Sequence, residues 1–390
     1  MSPSAFLKKH RNIILYKLGL KKPEILPKKR GEYRIWIHAV SLGETKAVKT
    51  LIDLIKEDHK NVEIFISTTT QTGQSEAKKL SPFVFFLPID VSWLMKKLVK
   101  KVNPDLFILV ETDFWYNLLS ALKKNQTPIV LVNGKISSNS YKNFKKFKSF
   151  ASDLFGKIDL FCLQSALDKE RFQNLGITEN KLIVTGNIKF DNLPPLQNIP
   201  GLHFPLEKKL VTIALTHENE EELILNELDH NQSIAFLLAP RHPERFQKIT
   251  KLLKKKNITF RTITQKGTGK EQVILIDKMG VMDECYAKSH AVIMGGSFTP
   301  SVGGHNIYEA ARHGIPVIYG PYMHKQESLV HSLKTHNACT QIPLSHLSQT
   351  LQKLLTTPQS TTLPTILKAE LEGASKRSWK LIKQKIKQPL

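Results

Sequence analysis

Cysteine is scarce in this sequence, with three residues in 390. Cys162, Cys285 and Cys339 are widely separated and form no CxxC pair. This excludes the disulfide framework of small secreted proteins and argues against a cysteine zinc site. The pattern is typical of a protein that works in a reducing cytoplasm.

Long apolar runs are also lacking, and none approaches the about 20 residues that a membrane-spanning helix needs. The first 30 residues instead hold nine Lys or Arg against a single Glu. A secretory signal needs a longer apolar stretch followed by small residues, which this segment does not have. We predict that residues 1–32 form a basic arm lying on an anionic membrane surface, although a solvated tail without a partner fits equally well.

Acidic residues are few relative to basic ones, 34 against 57, which gives a formal net charge of +23. A charge of this size favours a polyanionic or membrane partner. Hydrophobic residues make up 41% of the chain, so its composition excludes an intrinsically disordered protein. A chain of 390 residues exceeds the roughly 150 of a single core and predicts two domains.

Short β-rich apolar segments alternate with helical patterns, which predicts α/β domains with covered parallel sheets. In the first half the predicted strands are 34–40, 62–67, 83–87, 105–110, 128–132, 158–163 and 182–185. In the second half they are 209–215, 234–239, 258–263, 273–276, 291–294 and 316–319. Between the first two strands, apolar residues at three- and four-residue spacing in 47–55 predict one crossover helix.

A proline-rich segment separates the two series of strands. Four prolines and one glycine within residues 192–205 forbid a continuous helix or a central strand. We therefore predict a first domain at 33–191, a linker at 192–207 and a second domain at 208–362. Residues 363–390 are predicted as a basic C-terminal helix, for which packing back on the first domain is one arrangement.

Segment 292–321 has the pattern strand, glycine-rich loop, helix, strand. Gly303 and Gly304 let the backbone approach an anion, and the amino end of the following helix favours a phosphate there. His305 and Glu309, four residues apart, would share one face of that helix, near the phosphate and the ribose hydroxyls. The loop lacks the P-loop and GxGxxG patterns, which weakens ATP hydrolysis and NAD binding as functions. The alternative is a tight connection whose glycines serve geometry alone.

Two further segments follow predicted strands at their carboxyl ends, where open α/β sheets bind ligands. Their nucleotide-binding candidates are Pro240, Arg241, His242, Met279 and Gly280. The alternative for the first of these segments is a helix start at Pro243 with a solvated Arg245.

Glu44 lies where the first predicted strand joins its crossover helix, and two roles compete for it. At the amino end of a helix the dipole would hold the carboxylate ionised, ready to take a proton from an acceptor hydroxyl. Ser41 and Glu44 also have the spacing of a capping box, and spacing alone favours the cap.

Glu111 and Asp113 follow another predicted strand, at the edge that would face a cleft between the domains. Two acids there suggest binding of carbohydrate hydroxyls, with a helix N-cap by Thr112 or Asp113 as the alternative. Lys189 would face the same cleft, where a cation stabilises charge on a departing phosphate, unless it is a surface lysine at a turn.

Segment 139–150 interleaves four aromatic residues with lysines. This pattern occurs where proteins meet lipid headgroups, and core packing of the aromatic rings is equally consistent with it.

Six motifs in this order resemble those of the Kdo transferases of lipopolysaccharide biosynthesis, which move 3-deoxy-D-manno-octulosonic acid (Kdo) from CMP-Kdo onto a lipid A precursor. The motifs are WIHAVSLGE (36–44), ETDFW (111–115), NGKIS (133–137), VTGNIKF (184–190), PRHPERF (240–246), and GGS followed by GGHN (295–306). The likeness covers nearly the whole chain.

The resemblance implies a GT-B fold, in which two Rossmann-like domains face a cleft, with the acceptor in the first domain and CMP-Kdo in the second. It implies an inverting transfer with Glu44 as the base, which overturns the preference for a cap, and assisting roles for Glu111 and Lys189. The CMP site that it implies comprises Arg241, Met279, Gly280, Gly303, Gly304, His305, Asn306 and Glu309. It also implies a peripheral enzyme on the cytoplasmic face of the inner membrane, without a metal, a cofactor or a nucleic acid partner.

Two departures from the family pattern and two rival functions accompany this expectation. Val281 and Met282 follow Gly280 where Glu-Leu is usual, and Asn219 stands where Gly is usual. Another GT-B enzyme, a UDP-sugar transferase or epimerase, would use the same glycine loop and carboxylate. A basic RNA-binding or membrane-docking module would explain the charge, but not the glycine loop, and the sequence has no RNP-type aromatic motif.

Overall fold

A computed structural model describes residues 15–21, 23, 25–29, 31–193, 202–205, 207–229, 233–334, 336–356 and 363–385. The chain divides into two compact units, residues 1–193 with 370–390, and residues 194–369. Much of the predicted basic arm and of the predicted linker lies outside the described residues. Within the part that is described, no helix combines the length and apolarity needed to cross a membrane.

The first unit is built on a parallel sheet of seven strands in the order β3-β2-β1-β4-β5-β6-β7. Its strands are β1 (Tyr33–His38), β2 (Val62–Thr68), β3 (Phe83–Phe86), β4 (Leu106–Val110), β5 (Ile129–Gly134), β6 (Leu160–Leu163) and β7 (Leu182–Val184). Its helices are Leu42–Ala47, Lys49–Asp58, Gln71–Leu80, Ser92–Val102, Tyr116–Lys124, Ser138–Lys146, Lys148–Gly156, Ala166–Asn174 and Ala374–Lys385, with short 3-10 turns at Glu179–Lys181 and Ile188–Asn192. Strands β4 and β5 are buried throughout because helices cover both faces, which is why their sequences are continuous apolar runs.

The second unit repeats this architecture, with a parallel sheet in the order β10-β11-β9-β8-β12-β13-β14. Its strands are β8 (Lys209–Thr216), β9 (Ile234–Pro240), β10 (Phe260–Thr262), β11 (Val273–Leu275), β12 (Ala291–Met294), β13 (Val317–Tyr319) and β14 (Cys339–Gln341). Its helices are Glu220–Glu227, Phe246–Lys255, Met282–Lys288, Tyr308–Ala311, Glu327–Lys334 and Leu347–Thr356, with 3-10 turns at Pro243–Arg245 and Leu344–His346. The predicted α/β class is confirmed, and the strand that the prediction missed is β14.

Two helices that the sequence predicts as single elements are each broken. The crossover helix is two helices that meet at Val48, which ends the first and begins the second with ψ near −2°. The C-terminal helix ends at Leu371 and restarts at Ala374. Gly373 lies between them at φ +81°, a left-handed conformation that glycine adopts without steric cost.

The restarted helix Ala374–Lys385 is attached to the first unit by two carboxylates. Asp191 accepts hydrogen bonds from three backbone amides, those of Gly373 (2.6 Å), Ala374 (3.2 Å) and Ser375 (2.6 Å). Asp58 accepts a hydrogen bond from the indole of Trp379 at 2.7 Å. A carboxylate that satisfies the otherwise unpaired amides of a first turn favours a helix start at this point.

Each sheet has one point where the chain reverses its direction of winding. In the first sheet this point lies between β1 and β4, and in the second between β8 and β12. Open parallel sheets bind ligands beyond the carboxyl ends of the strands at this kind of switch point. The loops that follow these four strands are therefore where a site is expected.

Candidate active site

Glu44 lies after β1, in the first turn of helix Leu42–Ala47, and it does cap the helix. Its Oε2 accepts from the amide of Val40 at 2.8 Å, and its Oε1 accepts from the hydroxyl of Ser41 at 2.9 Å. The Ser41 hydroxyl in turn accepts from the amide of Glu44 at 3.4 Å. The capping prediction is confirmed, with the amide before the N-cap residue as the partner of the carboxylate.

The surroundings of Glu44 also raise its affinity for a proton. Burial raises the pKa of Glu44 above its ordinary value, and the negative charge of Glu111 raises it further. The hydrogen bonds from Val40 and Ser41 act in the opposite direction without cancelling the rise. The helix that Glu44 begins is short, with six residues. Glu44 is thus a half-buried carboxyl group with increased proton affinity.

Glu111 lies directly after β4 and is shifted in the opposite direction. Its side chain is 8% exposed and forms ion pairs with Lys189 and, at 3.1 Å, with Lys135. Asn133 donates a further hydrogen bond to it at 3.3 Å. Burial acts to raise the pKa of Glu111, but the charges of Lys189 and Lys135 outweigh burial and hold it below the ordinary value. Glu111 is therefore a buried carboxylate held ionised by lysines.

Lys135 and Asn133 are residues that the sequence reasoning did not single out. Asn133 is the last but one residue of β5, with φ +58°. Its side chain also accepts the amide of Ile188 at 3.1 Å, which fixes the 3-10 turn carrying Lys189. The available signal was the position of the motif 133–137 at a strand's carboxyl end. Lys189 is not merely a surface lysine at a turn, because it pairs with a buried acid.

The alternative in which Thr112 or Asp113 caps a helix is wrong. The next helix begins at Tyr116, and its N-cap residue makes no side-chain capping bond. Asp90 instead accepts two amides of the helix's first turn, at 2.8 and 2.9 Å. Burial raises the pKa of Asp113. Neither acid of the motif, Glu111 or Asp113, caps this helix, so both remain candidates for another role.

The second unit contains a cavity of about 480 Å³ at the carboxyl ends of its strands. It is of the size that small-molecule and nucleotide sites occupy, about 300–1,000 Å³. The predicted site residues that line it are Pro240, Arg241, Met279, Gly280, His305, Asn306 and Glu309. The other described candidates, His242, Gly303 and Gly304, lie outside its lining.

The prediction that His305 and Glu309 share a helix is wrong. The helix after the glycine loop consists of only Tyr308–Ala311, and His305 lies in the preceding loop. A helix of one turn has a weak dipole, so it does not provide the strong anion site that the pattern predicted. His305 and Glu309 nevertheless reach the same cavity.

The imidazole of His305 contacts that of His217, a residue that the sequence reasoning passed over. Their Nε2 atoms are 2.9 Å apart, and the two ring planes differ by 16°, with ring centroids 5.1 Å apart. His217 follows β8 directly, so it shares the switch point of the second sheet with the loop after β12. The signal that could have found it was its place in the turn 216–218, after a predicted strand.

The paired glycines shape the loop that carries His305. Gly303 and Gly304 have φ of +85° and +87°, which side-chain-bearing residues rarely adopt. The amide of Gly304 donates to the carbonyl of Gly296 at 2.8 Å, and the carbonyl of Gly303 accepts from the amide of Lys325 at 3.0 Å. These glycines close the loop behind the cavity.

Glu309 and Asn306 form a hydrogen-bonded pair in the cavity wall. The Asn306 amide donates to Glu309 at 3.1 Å, and its carbonyl oxygen accepts from the amide of Tyr308 at 3.1 Å. Burial raises the pKa of Glu309, while the hydrogen bond from Asn306 lowers it in part. The carboxyl group therefore faces the cavity with an affinity for hydroxyl donors.

The alternative of a solvated Arg245 is wrong. Pro243 does begin a 3-10 turn, but Arg245 forms two hydrogen bonds to the buried Glu221, at 2.6 and 2.8 Å. His242, by contrast, is about half exposed, at 49%. The segment after β9 is thus anchored by Arg245 and presents Arg241 to the cavity.

The aromatic segment 139–150 divides between the two interpretations. Tyr141 and Phe144 pack against the core of the first unit. Phe147 and Phe150 are 68% and 49% exposed.

No group of three or more potential metal-ligating side chains occurs in the described part of the chain.

Comparison with known proteins decides the family. The family described as "3-Deoxy-D-manno-octulosonic-acid transferase (kdotransferase)" matches residues 14–192. A 3-deoxy-D-manno-octulosonic acid transferase of Haemophilus influenzae is 33% identical over 302 residues, which cover 74% of this chain and 70% of the relative. The chain belongs to the 3-deoxy-D-manno-octulosonic acid transferase family. The enzyme of the same name from Chlamydia trachomatis is 29% identical over 389 residues, or 95% of this chain and 89% of the relative.

Membership of this Kdo transferase family makes the protein an enzyme, a glycosyltransferase, and excludes the non-catalytic module. A glycosyltransferase of Rickettsia africae has the same fold, with a TM-score of 0.61 at 16% identity over 92% of this chain and all of the relative. The predicted GT-B architecture of two Rossmann-like domains is confirmed.

Proposed function

We propose that the protein transfers Kdo from CMP-Kdo to a lipid A precursor in lipopolysaccharide biosynthesis, with inversion at the anomeric carbon. The observation that carries this proposal is the pair of acids at the switch point of the first sheet. Burial and a neighbouring charge raise the pKa of Glu44, whereas lysines lower that of Glu111. Two carboxyl groups whose pKa values are driven apart take different roles in acid–base chemistry.

Glu44 is the proposed general base. A carboxylate with raised proton affinity accepts a hydroxyl proton more readily than an ordinary one, provided that it is ionised at the working pH. The ionised Glu111 contributes by raising the proton affinity of Glu44. In the proposed step the acceptor oxygen gives its proton to Glu44 and bonds to the anomeric carbon. The bond from that carbon to the phosphate oxygen breaks, and its electron pair leaves with CMP.

The donor is proposed to bind in the cavity of the second unit. Arg241 offers a cation to the phosphate, and Glu309 offers a carboxyl group to the ribose hydroxyls. Met279 and Gly280, both exposed at the cavity rim, are placed to contact the base. CMP carries one phosphate, so its departing charge is smaller than that of a diphosphate, and arginine and lysine side chains are sufficient to balance it. We propose that the transfer uses no metal ion, and that Lys189 assists by stabilising developing negative charge.

The acceptor is proposed to be reached at the cytoplasmic face of the inner membrane, with the protein bound peripherally. The basic residues of segment 1–32 and the exposed Phe147 and Phe150 support this arrangement. Co-sedimentation with vesicles that contain anionic lipid tests it. Replacing Phe147 and Phe150 by Ser is expected to reduce the bound fraction, and unchanged binding contradicts a role for these two rings.

The transfer is tested by incubating the purified protein with CMP-Kdo and tetra-acylated lipid A precursor and weighing the products by mass spectrometry. Glu44→Gln is expected to lose activity by about 100-fold or more, as general base removal does. The matched control is Glu57→Gln, because Glu57 is an exposed acid on the neighbouring helix. Full turnover by a folded Glu44→Gln protein would discard the base assignment. Protection against thermal unfolding by UDP and not by CMP would overturn the proposed donor.

A further inference from the structure

The histidine pair of the second unit has a geometry that limits how many protons it holds. The Nε2 atoms of His217 and His305 lie 2.9 Å apart, which is hydrogen-bonding distance. Each neutral imidazole carries one donor and one acceptor nitrogen, so one ring donates through Nε2 and the other accepts. The contact holds one of the two protons of the neutral pair, and the accepting ring carries the other on its outer Nδ1. An additional proton, which would give the pair a positive charge, must go to the free Nδ1 of the donating ring.

The surroundings of the pair disfavour the additional proton that would give it a positive charge. The charged and titratable groups that act on the two rings are Glu220, Arg241, His242, Arg245 and Lys325. Burial and these mostly cationic neighbours lower the pKa of His217 and lower that of His305 to about 4. The pair is therefore uncharged at neutral pH when the pocket holds no anion.

A buried carboxylate holds the two halves of the pair together. Glu220 is fully buried and accepts the amides of His217 at 2.9 Å, Gly296 at 2.6 Å and Phe298 at 3.0 Å. The amide of Gly304, next to His305, is bonded to Gly296 in turn. The turn after β8 and the loop after β12 are thus joined by one anchor, which keeps the imidazole contact preformed.

We propose that His217 and His305 act as one proton-accepting unit, which is neutral in the free protein and takes up a proton when the phosphate of a cytidine nucleotide binds in the cavity. The proposal rests on the proposed function for the identity of the nucleotide. His305 lines the cavity, whereas His217 does not, so His217 is a positioning residue that acts through His305. The proton comes from the solvent, and no bond of the nucleotide is made or broken.

The physical reason is that a bound phosphate changes the electrostatic potential at His305. In the free cavity, the nearby arginines and lysine repel a further positive charge from His305. A phosphate anion among them offsets that repulsion and adds an attractive partner, which favours the imidazolium form. The shared proton spreads the new charge over two rings. The same charge would then stabilise the phosphate as it departs from the sugar.

The test is calorimetry of CMP binding to the full chain at pH 7.5, repeated in buffers with different ionisation enthalpies. The dependence of the measured enthalpy on the buffer gives the number of protons taken up. We expect clear net uptake with CMP and none with cytidine, which has no phosphate. His217→Gln and His305→Gln are each expected to abolish the uptake and to raise the Kd for CMP by about tenfold, as the loss of a charge-assisted hydrogen bond does. His346→Gln is the control, since His346 is exposed in the same unit.

The possible failures are distinguishable. CMP binding without proton uptake, or with the same uptake in His217→Gln, overturns this inference and leaves the proposed donor intact. Protonation of the nucleotide itself would persist in both variants and is therefore separated from that of the pair. An absence of CMP binding by the unmodified protein overturns the proposed donor, and the inference with it.

Discussion

Replacing Lys189 by Met tests whether Glu111 is held ionised by its lysines. The Glu111 side chain is 8% exposed, and those of Lys135 and Lys189 are 36% and 37% exposed. Methionine keeps the length and the apolar stem of the lysine, so the substitution removes the charge with little change in packing. The free energy of unfolding is therefore expected to report the electrostatic contribution.

The expected loss lies between two limits. Breaking a fully buried ion pair costs about 3–5 kcal/mol, whereas a fully exposed pair contributes about 0–1 kcal/mol. Here the acid is buried, but the lysine is partly solvated and Lys135 remains 3.1 Å from Glu111. We expect a loss of about 1–2 kcal/mol for Lys189→Met. Lys169→Met is the control, because Lys169 pairs with an exposed acid, Glu179, and a much smaller loss is expected.

Urea unfolding followed by tryptophan fluorescence is suited to this measurement. All four tryptophans of the chain fall in the first unit, so the signal reports that unit. The effect also has a defined pH dependence. The pKa of Glu111 is lowered by folding, so its contribution to stability is present above the unfolded pKa and is lost as the pH falls through the folded pKa. The difference between the parent and Lys189→Met is thus expected to be greatest at neutral pH and to shrink below about pH 4.3. Equal losses for Lys189→Met and Lys169→Met, or a loss independent of pH, would refute the reasoning.

Three further predictions concern the acids and cations of both units. Glu111→Gln removes a charge that raises the pKa of Glu44, so the acidic limb of the pH profile of kcat/KM should move to lower pH; an unmoved limb contradicts the coupling. Glu220→Gln replaces a carboxylate that accepts three amides, and we expect about 1–3 kcal/mol lower stability by circular dichroism and weaker CMP binding; unchanged affinity contradicts its anchoring role. Arg245→Met leaves the buried carboxylate of Glu221 with the hydroxyl of Thr216 as a donor and should cost about 2–4 kcal/mol. Lys248→Met, at an exposed pair, should cost much less, and equal losses contradict the burial argument.

The sequence predicts most of the strands because buried parallel strands are continuous β-rich apolar runs. It misses β14, which has three residues of which only Cys339 is buried, so no apolar run marks it. The sequence prediction misses the two helix breaks for different reasons. Val48 is an apolar residue within a regular apolar pattern, and only its backbone geometry reveals the break. Gly373 is a recognised helix terminator, but the helix-forming residues on both sides of it, 367–372 and 374–377, favour one continuous helix.

The candidate site is predicted only in part, because the sequence reports local features and not which strands are neighbours. Glu44, Glu111 and Arg241 each follow a predicted strand, so their location at a carboxyl edge could be inferred from the local sequence. Lys135 and His217 also follow predicted strands, but their contacts could not be predicted, because these depend on which strands are neighbours. The order of strands in a sheet places the turn after β8 beside the loop after β12, although about 80 residues lie between them. Sequence spacing carries no such information.

The opposite pKa shifts of Glu44 and Glu111 have one common origin. Both acids are removed from water, and burial alone would raise the pKa of each. Lys189 and Lys135 reach Glu111, so it remains charged, and that charge then acts on Glu44, which accepts hydrogen bonds from an amide and a hydroxyl. The lysines keep Glu111 ionised, and it is the ionised form of Glu111 that raises the pKa of Glu44. A base that is strengthened in this way needs an intact ion pair beside it, which ties the stability of the Glu111 cluster to the proposed chemistry at Glu44.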